Sequence, residues 1–186
     1  MAILITGAAG FIGYHLCKRL LKYDDLVIGF DNLNNYYPKK LKLARIKELE
    51  NLSKRENKKF IFIEGDICKS NSVLEIFKEY NPLYVINMAA QAGVRYSIEQ
   101  PLIFAKANIV GFLNILEFSA KYKVKHLIYA SSSSVYGGNN NPPFGETDEV
   151  NHPVSLYAAS KRSNELMAHA YSHLYNLPTT GIRFFT

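Results

Sequence analysis

Tryptophan is absent from these 186 residues, and cysteine occurs only twice, as Cys17 and Cys68. Two thiols far apart in sequence provide neither a disulfide framework nor the close-spaced ligand pairs of a zinc site. Both therefore read as reduced thiols of a cytoplasmic protein, and no metal is expected. A charged leader is missing too, because an apolar strand begins at Ala2. Uninterrupted hydrophobic runs of membrane-spanning length are also lacking. The most apolar stretch, Leu102 to Ala120, carries Lys106, Asn108, Asn114 and Glu117, and so makes a poor membrane span. Acidic residues are outnumbered, for a net charge of +6. That sign raises the question of nucleic acid. Between Pro38 and Lys59, however, nine Lys or Arg and three Glu account for the whole excess. A single segment of this kind reads as a solvated helix and loop, so neither nucleic acid nor membrane is expected as a partner. Its cations can still concentrate an anionic ligand.

The chain is 48% hydrophobic and 20% charged, an ordinary balance for one soluble domain with a real core. Short apolar runs alternate with helical patterns. Strands are expected at Ala2–Thr6, Leu26–Phe30, Phe60–Glu64, Leu83–Asn87, His126–Ser131 and Thr179–Phe184. Helices are expected at Phe11–Lys22, Leu41–Leu52, Ser72–Tyr80, Pro101–Tyr122 and Leu156–Tyr175. The strands lack polar alternation, which predicts a parallel sheet covered on both faces. Right-handed crossovers then make an α/β, doubly wound parallel sheet of Rossmann type over residues 1–186. No repeat or linker divides it. One turn-rich stretch, Gly137–Pro153, follows a strand end, where long loops are often functional.

Thr6-Gly7-Ala8-Ala9-Gly10-Phe11-Ile12-Gly13 joins the first strand to the first helix. Gly7 permits a tight turn, Gly10 lets a pyrophosphate approach the backbone, and Gly13 lets the helix pack closely on the sheet. The helix N-terminus offers free N–H groups and a partial positive charge to phosphates. Asp31 ends the second strand, where a carboxylate accepts hydrogen bonds from an adenosine ribose and repels a 2′-phosphate. NAD is favoured over NADP on that ground. Asp66, past the third strand, sits at the same sheet edge; contact with the adenine and a helix N-cap are both open readings.

Tyr157 and Lys161 open the last long helix four residues apart and share one face. Upstream lies the serine run Ser131–Ser134 at a strand end. A phenol titrates near ~10, and an ammonium at ~4 Å could bring it to roughly 7. Tyr157 then reads as a general base at neutral pH, with a serine hydroxyl bridging it to a substrate oxygen.

Taken together, the glycine turn, Asp31, the Tyr157/Lys161 pair and the serines resemble the extended short-chain dehydrogenase/reductase superfamily. Ala89-Ala90-Gln91-Ala92-Gly93-Val94-Arg95-Tyr96-Ser97, Ala130–Gly137 and His152–Tyr157 are similar to segments of UDP-glucuronate 4-epimerases. The likeness covers the whole chain, which matches only the N-terminal part of the family pattern, with the substrate lobe largely absent. It implies catalytic roles for Tyr157, Lys161 and Ser132. It implies NAD contacts from Gly7, Gly10, Phe11, Ile12, Gly13, Asp31, Asn32, Asp66, Ile67, Ala89, Ala90, Gln91, Asn108, Tyr157, Lys161 and Phe184. Arg95, Ser132, Ser133, Ser134, Tyr157 and Thr186 are implied for the UDP-sugar, and a homodimer for the full-length form. Asn87 departs from the pattern, since many relatives carry His there. The implied reaction is NAD-dependent epimerisation at the sugar C4 through a transient 4-keto intermediate. Dehydratases and decarboxylases of the superfamily, an NAD-binding sensor and an inactive fragment are the alternatives.

Overall fold

The computed structural model describes residues 1–23 and 26–185. Six parallel strands form one sheet in the order β3-β2-β1-β4-β5-β6. They are β1 (Ala2–Thr6), β2 (Leu26–Asp31), β3 (Lys59–Glu64), β4 (Tyr84–Asn87), β5 (His126–Ser132) and β6 (Thr179–Phe184). Apolar side chains alternate between two cores. On β1 and β2, Ile3, Ile5 and Val27 pack with Cys17, Leu21 and Leu49 on one face. Leu4, Ile28 and Phe30 pack with Val73, Phe77, Phe112, Ile115 and Leu116 on the other. Burial on both faces explains why these strands read as continuous apolar runs. The order reverses between β1 and β4, and the crevice at the carboxyl ends of those strands is where doubly wound sheets bind ligands.

The helices are α1 (Phe11–Leu20), α2 (Lys39–Arg55), α3 (Ser70–Tyr80), α4 (Val94–Glu99), α5 (Pro101–Phe104), α6 (Phe112–Lys121) and α7 (Leu156–Tyr175). Ser155 caps α7 by accepting the Ala158 N–H at 3.0 Å, which sets where the helix carrying Tyr157 begins. Asn81 and Asn176 end α3 and α7 in the left-handed conformation that asparagine tolerates.

Pro101–Tyr122 is not the single regular helix that the periodicity suggests. A π-helical segment, Ala105–Gly111, separates α5 from α6. The wider turn is locked from outside. Asn164 Nδ2 donates to the Asn108 carbonyl at 2.6 Å, Asn114 Nδ2 donates to the Ile67 carbonyl at 2.7 Å, and Gly111 lies against Ile67. Tertiary partners supply these bonds, so no local pattern announces them. By length and composition, Pro101–Lys121 is apolar enough to cross a membrane. Its Phe104, Phe112, Ile115 and Leu116 are buried in this protein's own interior. Two short elements were also not anticipated: α4, and a 3-10 turn at Ser133–Tyr136. Each is too short to show a hydrophobic period.

Candidate active site

Gly7 adopts φ +68, and a Cβ there would lie 2.7 Å from the Ala89 nitrogen. A Cβ on Gly13 would lie 2.1 Å from the Gly7 carbonyl oxygen. The turn therefore closes only with glycine at both positions. Gly10 caps α1, and its N–H donates to the Gly7 carbonyl at 3.0 Å. Phe11 and Ile12 follow on the exposed side of the first helical turn. Backbone N–H groups at a helix start, stripped of side chains, form a cradle suited to a diphosphate.

Asp31 is buried and ties this turn to the next strand. Its Oδ2 accepts the Ala9 N–H at 3.1 Å, and its Oδ1 accepts the Leu33 N–H at 2.9 Å. Lys42 Nζ stands 3.7 Å from Oδ1 and donates to Asn34 Oδ1 at 2.9 Å. From the same helix, Arg45 donates to the Ala9 carbonyl at 3.1 Å. Part of the charged segment is thus not solvated: Lys42 and Arg45 brace the glycine turn. The overlooked signal is spacing, since Lys42 shares the inward stripe of α2 with Ile46 and Leu49.

Asp66 is half-buried. Its Oδ1 accepts the Cys68 N–H at 2.9 Å, and its Oδ2 accepts from Asn32 Nδ2 at 3.3 Å. Burial works against its ionisation, but these bonds outweigh it and hold the carboxyl below its ordinary value. The carboxylate closes a turn ahead of α3; Lys69, not Asp66, occupies the cap position. Gly7, Gly10, Asp31, Asn32, Asp66, Ile67, Ala89, Ala90 and Gln91 all line one cleft of about 310 Å³, along with Lys42 and Tyr36. The glycine cradle and the Asp31 carboxylate on its walls fit a dinucleotide.

Past β4 the chain is pinned at several points. Thr6 Oγ1 donates to Asn87 Oδ1 at 2.6 Å and accepts the Ala89 N–H at 3.1 Å. Asn87 thus supplies its own bond at the position where it departs from the family pattern. Asn108 is buried and clamps Gln91 on both sides, with its Oδ1 on the Gln91 N–H at 2.8 Å and its Nδ2 on the carbonyl at 3.0 Å. Its Nδ2 also donates to Ser160 Oγ at 2.9 Å, joining the cleft wall to α7.

Ser132 ends β5 and caps the 3-10 turn. Its Oγ accepts the Ser134 N–H at 3.2 Å and donates to Ser134 Oγ at 3.1 Å. The Ser132 hydroxyl also stands close enough to the Tyr157 hydroxyl to favour its ionised form. Ser131 Oγ instead donates to Glu165 at 2.6 Å, and Arg183 grips the same carboxylate at 2.9 and 3.1 Å. That unforeseen network straps α7 to β5 and β6. Ser133 is half-buried on the 3-10 turn, and Phe184 sits opposite Ser132 in the sheet. Arg95 is exposed on α4. Thr186 lies outside the described residues.

The expected electrostatics of the pair are not what the fold shows. Burial pushes the Tyr157 phenol above its usual value, against the opposing pull of the nearby Ser132 hydroxyl. Lys161 donates to the Ala130 carbonyl at 2.9 Å, and burial lowers its ammonium to about 8. The two residues lie one turn apart on α7, and desolvation opposes charge on both.

A family described as GDP-mannose 4,6 dehydratase matches residues 4–186. The chain belongs to this family. It is 55% identical over 186 residues to Protein CapI of Staphylococcus aureus, covering 100% of this chain and 54% of that protein. It is 46% identical over 188 residues to a probable UDP-glucuronate 4-epimerase of Rhizobium meliloti, covering 100% of this chain and 53% of that protein. The chain therefore spans about half the length of these curated relatives. Among solved structures, UDP-glucuronic acid 4-epimerase from Bacillus cereus, in complex with UDP-glucuronic acid and NAD, is similar at a TM-score of 0.89 and 34% identity. That match covers 100% of this chain and 57% of that one. UDP-glucose 4-epimerase from Brucella ovis, in complex with NAD, matches at a TM-score of 0.84 and 28% identity, over 100% of this chain and 52% of that one.

Burial of Lys161 carries a stability cost with a definite sign. The folded state depresses its pKa below the unfolded value, so it penalises the protonated form at every pH below about 8. Lys161→Met should raise stability at pH 7 by roughly 3 kcal/mol. Between pH 8 and 10 the wild-type lysine loses its proton in the folded state, and the gap should shrink to under about 1 kcal/mol. Denaturant melts of both proteins at the two pH values check this; a gap that is absent at pH 7, or constant with pH, contradicts it.

Proposed function

We propose that residues 1–186 are the NAD-binding portion of a nucleotide-sugar 4-epimerase, acting on UDP-glucuronate and yielding UDP-galacturonate. The observation that carries the reading is the junction of Tyr157, Ser132 and buried Lys161 at the end of β5, on the same carboxyl edge of the sheet as the glycine cradle and Asp31. The matching UDP-glucuronic acid 4-epimerase structure, in complex with that sugar nucleotide and NAD, supports it.

NAD, when bound, supplies the hydride acceptor and donor of a closed redox cycle. The Gly7–Gly13 turn would hold its diphosphate, and Asp31 would face its ribose. Tyr157 accepts the proton of the 4-hydroxyl and later returns it to the 4-keto sugar. Ser132, whose hydroxyl neighbours that of Tyr157, aligns the substrate oxygen with it. Lys161 is one helical turn along and favours the phenolate once its ammonium is charged. Related dehydratases place Asp-Glu, and decarboxylases a Glu, where this chain has Ser133 and Ser134. Elimination needs an extra acid and base that these serines replace poorly, so epimerisation is the better reading. The serine hydroxyls suit a uronic acid, because they can donate to its C6 carboxylate where a carboxylate would repel it. Arg95, exposed on α4, is the weaker candidate for that contact. The full-length protein is read as a cytoplasmic homodimer. Its interface would use the outward apolar residues Leu102, Val110 and Leu113 of the Pro101–Lys121 helix and Leu166 and Leu174 of α7.

Three measurements test these statements. A full-length version should interconvert UDP-glucuronate and UDP-galacturonate, and Tyr157→Phe should abolish turnover while NAD binding is retained; an unchanged rate overturns the mechanism. Replacing Ser133 and Ser134 together with Ala should lower turnover of UDP-glucuronate at least about tenfold more than turnover of UDP-glucose. Equal losses would show that the hydroxyls do not read the carboxylate. Sedimentation of the full-length protein should give a dimer, and only monomer at high concentration would remove the interface.

A further inference from the structure

Lys42 is 5% exposed, a rare position for a lysine. Charged side chains are buried when something pairs with them or needs them. Here the pairing is partial. An ammonium has three donors. One goes to Asn34 Oδ1 at 2.9 Å, while 3.7 Å to Asp31 Oδ1 is an ion pair longer than a hydrogen bond. Both Asp31 oxygens are meanwhile occupied by backbone N–H groups of Ala9 and Leu33, at 3.1 and 2.9 Å. Asp31 does not need Lys42 to be satisfied. Both residues, and Asn34, line the same cleft wall.

We propose that Lys42 is a second reader of the adenosine ribose, and that it sets how strongly the site discriminates against a 2′-phosphorylated dinucleotide. The proposal rests on the NAD-binding reading above. A strand-end carboxylate alone repels a 2′-phosphate. With an ammonium 3.7 Å away the pair is nearly neutral, and the cation can face the phosphate directly while Asp31 stays turned toward the glycine turn and Leu33. The ribose of NAD, with two neutral hydroxyls, feels this cation much less. Lys42 therefore weakens the exclusion of NADP that Asp31 would otherwise enforce.

Calorimetric binding of NAD and NADP to the 186-residue chain is the test, with Lys42→Met and Lys42→Gln as variants and thermal melts to confirm folding. Lys42→Gln keeps a donor for Asn34 and removes only the charge, so it gives the readout if Lys42→Met fails to fold. The wild type should bind NAD more tightly than NADP, with NADP binding still measurable. In either variant the ratio of NADP to NAD dissociation constants should rise at least about tenfold, the value of one charge-assisted contact. Lys42→Arg, which retains the charge, should leave the ratio within about threefold. A lysine that only braces the fold would shift both dinucleotides equally, and that result overturns the proposal, as does undetectable NADP binding to a wild type that binds NAD. A wild type that binds neither removes the NAD reading and this inference with it.

Discussion

Asp31 reaches from the end of β2 to the Ala9 N–H in the middle of the glycine turn, and much of the cofactor cleft depends on that one bond. It links the carboxyl ends of β1 and β2 and fixes the turn against the sheet. The turn can be fixed so closely because Gly13 leaves no side chain between α1 and the Gly7 carbonyl. The other Asp31 oxygen orders Leu33, whose φ of +49 starts the segment that ends in the cleft-lining Tyr36 and Tyr37. A single buried carboxylate thus shapes two walls. It carries its charge into the interior because two N–H groups and an ammonium surround it.

The carboxyl end of β5 shows the opposite balance. Tyr157 and Lys161 are both desolvated, which shifts the phenol up and the ammonium down, toward neutral forms. One helical turn further along α7, Glu165 is kept ionised although burial opposes it, because Arg183, Ser131 and Arg162 all donate to it. The neighbouring residues differ in how many donors the fold delivers to each. Glu165 has its full complement and acts as a strap. Tyr157 and Lys161 receive few such partners, a balance consistent with the proposed proton transfer and not with a strap.

Between the two halves of the site runs a row of aromatic rings. Tyr36 meets Tyr96 at 5.2 Å, Tyr96 meets Phe104 at 6.0 Å, and Phe104 meets Tyr157 at 6.1 Å. Gly93 makes the first contact possible, since a Cβ there would press on the Tyr36 hydroxyl at 2.7 Å. The π-helical segment beside Phe104 turns Asn108 toward both Gln91 and Ser160. Ring packing and amide hydrogen bonds together give the cleft wall and the helix that carries Tyr157 a common mounting.

Local pattern alone determined the six strands, the main helices, the glycine turn, Asp31 and the Tyr157/Lys161 face. Each of these has a periodic or positional signature: apolar runs buried on two faces, glycine where backbones touch, or a four-residue spacing. Tertiary structure alone decided the π-helical segment, the burial of Lys42, the strap at Glu165 and the upward shift of Tyr157. Those features depend on partners far away in sequence, such as Asn164 for Asn108, Asp31 for Lys42, and Arg183 for Glu165. Charge composition marks a lysine as solvated unless its place on an apolar stripe is weighed. A pairwise Coulomb argument likewise predicts a lowered phenol, because it omits the water that burial removes. Desolvation is a property of the folded surroundings, and no spacing in the chain encodes it directly.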